Sequence, residues 1–128
     1  MSREELKAHI EVLEKAYEFF LSYAALGAEQ EEASKVGGQL REYLSRTDAA
    51  LRALANDLGG LVATEGLEPA GAYEEMIDVT SADAARAGAA VRLVLTQETI
   101  SSQLIDNLNA SSHLRALLTD LFLLDDVV

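Results

Sequence analysis

The sequence contains no cysteine and no tryptophan, a single proline (Pro69) and two histidines (His9 and His113). Without thiols there can be no disulfide, no thiol nucleophile and no cysteine-ligated metal, and a reducing, cytoplasmic setting is expected. Lysine and arginine are scarce as well. Ten of them stand against 22 Asp and Glu, which leaves a net charge of −12 over 128 residues. That field repels phosphates, so neither nucleic acid nor an anionic membrane surface is expected as a partner. Long hydrophobic runs are also missing. The most apolar stretch, residues 114–124, is interrupted by Arg115, Thr119 and Asp120 and is too short to span a bilayer. The opening Met-Ser-Arg-Glu-Glu lacks the form of a signal peptide.

Alanine, leucine and glutamate fill the space these residues leave, and all three favour helix. With 49% hydrophobic residues the chain has enough apolar surface for a core, so one folded domain over residues 1–128 is expected. No segment alternates polar and apolar residues as a half-buried strand would. The expected fold is therefore all-α: an antiparallel helical bundle of about four helices with a long central helical hairpin.

The helix boundaries follow from local signals. Ser2 followed by Glu5 forms a capping box, which starts a first helix at residue 3, and Gly27 ends it near residue 26. A second helix is expected over residues 29–65. Its apolar positions, Val36, Leu40, Leu44, Thr47, Leu51, Leu54, Leu58 and Leu61, alternate steps of three and four after the first, the rhythm of a helix packed along a seam. Thr47 interrupts the leucines, and its hydroxyl is expected to bond back to the preceding turn. The pairs Gly37-Gly38 and Gly59-Gly60 are weak points in this helix. Residues 66–71, around Pro69, make the clearest break. A short helix over residues 70–78 should follow, then a kink near residues 79–81, where Thr80 and Asp83 supply capping chemistry. From there a third long helix is expected to run to about residue 108. Residues 109–112 form a turn, and a last helix covers residues 112–125.

Two of these helices have more apolar surface than a corner position in a bundle needs. On the first, Leu6, Ile10, Leu13, Tyr17, Phe20 and Ala24 form one stripe, and Val12, Ala16, Phe19, Tyr23 and Leu26 form a second. Together they span an arc of about 200°, against the roughly 100° that a surface helix buries. On the third, Ala84, Ala87, Val91, Val94, Leu95 and Ile105 make one stripe, and Leu93, Ile100, Leu104 and Leu108 another. The surplus is accounted for if the second stripes face a second copy of the chain or a partner helix. Val12, Phe19, Tyr23, Leu26, Leu93, Ile100, Leu104, Leu121 and Phe122 are the candidate interface residues. The same arc is also filled if the bundle buries both stripes within one chain.

Catalytic and metal chemistry find little support. Carboxylate-bridged di-iron bundles need Glu-x-x-His, but Leu6 stands three before His9 and Ala110 three before His113. Glu5 and His9 share a helix face as an ordinary surface pair. No serine sits in a Gly-x-Ser-x-Gly elbow, and the glycine pairs lack the lysine of a phosphate-binding loop. No cofactor and no metal are expected.

One local oddity remains, the polar run 96–103. On a continuous third helix Glu98 falls between Val91, Val94 and Ile105, inside the apolar stripe. A carboxylate there needs a partner, with Arg41, Arg46, Arg52 and Tyr17 as candidates by type, or it is driven toward its neutral form. Glu98 with Tyr17, Gln97 and Ser101 is a candidate polar pocket for a small molecule. The competing readings are a buried ion pair, or a helix break that leaves Glu98 in a first turn. The function expected from the sequence is a non-enzymatic interaction or scaffold protein, acting by self-association or by binding a partner helix. A small-molecule-binding bundle is the second reading.

Overall fold

A computed structural model describes residues 1–27 and 37–128. The described residues form six α-helices: α1 (Arg3–Ala25), α2 (Gly37–Asp57), α3 (Leu61–Glu65), α4 (Ala70–Leu95), α5 (Ser102–Ala110) and α6 (His113–Val127). The Ser2 hydroxyl accepts the Glu5 amide at 3.2 Å and caps α1, the N-cap half of the expected capping box. A single 3-10 turn, Leu58–Gly60, interrupts the second helix at the glycine pair and leads into α3. Gly66 ends α3 in the left-handed conformation (φ 62°), where a side chain would be strained. The expected segment of the second helix before Gly37, with Val36, lies outside the described residues.

Four helices form a ring in which each packs on two neighbours: α1 on α2 and α6, and α4 on α2 and α6. Cross-contacts set their directions. Arg41 at the start of α2 reaches the residues just after α4, and Asp48 pairs with Arg92, so these two helices run antiparallel. Tyr73 near the start of α4 donates to the Val127 carbonyl at the end of α6, so this pair is antiparallel as well. The chain thus runs up, down, up and down, with α5 inserted between α4 and α6 and packed on the C-terminal end of α1. The α2–α4 pair is the most extensive contact and forms the central hairpin.

The heptad seam that runs from α2 through the 3-10 turn to the start of α3 is the spine of the core. Leu40, Leu44, Thr47, Leu51, Leu54, Leu58 and Leu61 are all buried. Thr47 does not bond back to the preceding turn. Its Oγ1 is buried and has no hydrogen-bond partner among the described residues. A desolvated, unpaired hydroxyl is a net cost, so Thr47→Val should be neutral or stabilising by about 1 kcal/mol in urea unfolding. Opposite this seam, Gly88 is buried and leaves room for the Arg92 guanidinium. A Cβ there would sit 2.9 Å from Arg92 Nη1. The folded-back guanidinium reaches Asp48 at 3.0 Å, and Asp48 also accepts Arg52 at 3.2 Å.

Two expected boundaries are corrected. There is no kink at residues 79–81: α4 is continuous, because Thr80 turns inward and donates to the Met76 carbonyl at 2.8 Å instead of capping a new helix. Nor does the third helix run to residue 108. It stops at Leu95, where Thr96 Oγ1 donates to the Leu93 carbonyl at 2.6 Å. A new helix, α5, begins after Ser101, whose hydroxyl accepts the Leu104 amide at 3.1 Å. Ile100 before that cap and Ile105 four residues after it are both fully buried, in the positions of a hydrophobic staple.

Candidate functional site

The break after α4 removes the basis for a pocket at Glu98. Its placement inside an apolar stripe presumed a continuous helix. In the structure Glu98 lies in the α4–α5 loop and is exposed. Arg41, a candidate partner for its carboxylate, instead donates to the backbone carbonyls of Gln97 and Glu98, both at 2.9 Å. Gln97 donates to Thr96 Oγ1, and Ser101 caps α5. Tyr17 lies in a groove between α1 and α6, with Glu14, Glu18, Arg115 and Phe122. The four residues of the expected pocket therefore serve separate local roles.

The nine candidate interface residues also separate. Tyr23, Ile100 and Leu121 are buried in the chain's own core and present no surface to a partner. Val12 and Phe19 are half-buried on the α2 side of α1, where the Phe19 ring stacks on Tyr43 with centroids 4.5 Å apart. Leu104 is half-buried on α5. The doubled stripe of α1 is explained by its place in the ring, with α2 on one flank and α6 on the other. Leu26, Leu93 and Phe122 remain exposed.

Leu21, Leu26, Leu93 and Phe122 are exposed at scattered positions, whereas Leu123 and Val127 are exposed together where α4 meets α6. Ala72, Tyr73 and Met76 of α4 and Leu123, Leu124 and Val127 of α6 line a groove of about 350 Å³. Leu123 is 54% exposed and Val127 51%. Val79, 48% exposed, lies on the next turn of α4 beyond Met76. The sequence stripes do not reveal this groove, because Val79 and Val127 belong to none of them and the register of α4 against α6 sets which residues face each other.

Higher on the same seam, Asp83 of α4 meets Asp120 of α6. Both are partly buried. Burial first, then a hydrogen bond to Asp83 and its charge, push the Asp120 carboxyl up from 3.8 to about 7. Two carboxyl groups this close share a proton rather than both ionise. Asp120 Oδ2 is buried and finds no amide, guanidinium or hydroxyl donor among the described residues, and Asp83 holds Arg86 at 2.8 Å. Asp83 stands seven residues after Met76, and Asp120 four before Leu124, so each continues a face that lines the groove.

Among the described residues no group of three or more His, Asp or Glu is arranged to hold a metal ion. His9 is half-buried on α1, and His113 is exposed at the first turn of α6. No described helix is long and apolar enough to cross a membrane. No family model, characterised protein or solved structure matches the chain.

Proposed function

We propose that this chain is a non-enzymatic interaction protein that holds a helix of a partner protein in the groove between α4 and α6. The observation that carries this reading is the run of half-exposed aliphatic side chains, Val79, Leu123 and Val127, along one seam of a bundle whose other surplus stripes are largely covered by its own helices. Two parallel ridges with an apolar floor match the way amphipathic helices dock, through anchors at i, i+3 or i+4 and i+7.

The chain's lack of tryptophan supplies the test. A neutral helix-forming peptide with leucine anchors and one central tryptophan should show a blue-shifted emission when it enters the groove. Leu123→Glu should abolish the shift, whereas Leu93→Glu, at a still more exposed site outside the groove, should leave it unchanged. Absence of any shift at saturating peptide would overturn the reading. So would a stable mass of twice 13.8 kDa in light scattering that Leu123→Glu halves, because the groove would then belong to a second copy.

A further inference from the structure

We infer that the groove selects a basic partner: an amphipathic helix with apolar anchors along one face and lysine or arginine along its flanks. This rests on the partner-helix reading above and specifies the partner's chemistry.

The charge distribution carries it. The stretches that carry the groove, residues 70–85 of α4 and 116–128 in and just after α6, contain no lysine or arginine, and the carboxylates Glu75, three residues after Ala72, and Asp126, three after Leu123, flank its lining, with the Asp83–Asp120 pair at its far end. Glu74, Glu75, Asp78 and Asp126 are exposed. The first cation beyond the groove on α4 is Arg86, already engaged by Asp83. A partner with acidic flanks would add like charges to this field, whereas one with basic flanks would neutralise it. The same pattern argues against a second copy of this chain. A two-fold contact places one patch against itself, and here that would set the Glu75 and Asp126 flanks against an identical acidic patch with no cation to offset them. It also argues against an anionic membrane surface, which the same field repels. The size of the site fits a short helix. From Ala72 to Asp83 α4 rises about 16 Å, roughly three helical turns, enough for anchors at i, i+3 or i+4 and i+7.

The test uses the full chain and three tryptophan-bearing peptides with identical anchors and flanks of lysine, glutamine or glutamate. Affinity should fall in that order, with about tenfold or more between the lysine and glutamate forms at low ionic strength. The gap should narrow at about 0.5 M salt, where exposed charges are screened. Glu75→Gln combined with Asp126→Asn should weaken the lysine peptide selectively. Equal binding of the lysine and glutamate peptides would overturn this inference and leave the partner-helix reading standing. Binding of the lysine peptide that survives Leu123→Glu would mean surface adhesion by charge alone, and would also overturn it. Failure of all three peptides would remove the partner-helix reading itself.

Discussion

Tyr23→Ala is expected to destabilise the fold by about 3–5 kcal/mol, the range for emptying a buried aromatic site. Tyr23 is 1% exposed near the end of α1, and its hydroxyl donates to the Ile100 carbonyl at 2.6 Å. Its own carbonyl accepts the Ser102 hydroxyl at 2.8 Å, and one turn earlier the Phe20 carbonyl accepts the Asn109 side chain at 3.3 Å. These bonds fasten the whole of α5 to α1. Tyr23→Phe separates the two contributions. It keeps the ring but leaves the Ile100 carbonyl without its phenolic donor, and should cost about 1–2 kcal/mol. Leu26, three residues on and 58% exposed, provides the control: Leu26→Ala should stay within about 0.5 kcal/mol. Urea unfolding followed by far-ultraviolet circular dichroism measures all three. A Tyr23→Ala chain of unchanged stability would mean that Tyr23 does not fasten α5 as described.

The Asp83–Asp120 pair sets the second expectation, a stability that depends on pH. An unfolded aspartate titrates at about 4, whereas folded Asp120 titrates at about 7. Between those values the folded chain binds the extra proton, so the Asp120 contribution to stability is complete below about pH 4 and is lost as pH rises through about 7. The substitution Asp120→Asn installs an amide that cannot ionise and that donates to Asp83 at every pH. The variant should therefore gain on the unsubstituted chain as pH increases, ending roughly 1–2 kcal/mol ahead at about pH 8, well below the full linkage value because a partly wet pair is screened. Unfolding curves for both chains at about pH 5 and about pH 8, on either side of the folded titration, decide it. A gap that stays constant between the two conditions would show that Asp120 does not hold a proton in the folded state. Comparing the two chains also cancels most of the general relief of repulsion that a chain of charge −12 feels on acidification.

Much of the fold is visible in the residue pattern because it depends on local regularities. The seam from α2 to the start of α3 is legible since a three-four alternation of leucines can bury itself only on a helix, and all seven of its described positions are buried. The first helix is legible because Ser2 and Glu5 satisfy a helix start within the first turn. The break between α4 and α5 escapes the pattern because it contains neither proline nor glycine. It is made by side chains that compete with the helix for its own carbonyls and amides, Thr96 at one end and Ser101 at the other. The pair Ile100 and Ile105 flanking the Ser101 cap is the signal that could have located it. A helix drawn straight through that break rotates Glu98 onto the wrong face and places a pocket around it. Thr80 misleads in the opposite sense, since the same hydroxyl chemistry that starts a helix can also fold back inside one. The α4–α6 groove and its carboxyl pair have no local signature. Both depend on which turn of one helix meets which turn of another, and that is fixed by packing across dozens of residues.

The position of α1 has a kinetic consequence. The α1–α2, α2–α4 and α4–α6 contacts join elements that follow one another closely along the chain, so each can form by local search. The contacts of α1 with α5 and α6 are different. The Tyr23–Ile100 and Phe20–Asn109 bonds span 77 and 89 residues, and they close the ring. Long-range closures of this kind carry their entropic cost before any contact repays it, and they raise the contact order of an otherwise fast-folding topology. The seam between the first helix and the last two is thus the natural final step of assembly. It is also the place where the native state should open first, peeling α5 and α6 from α1 while the α2–α4 hairpin stays closed.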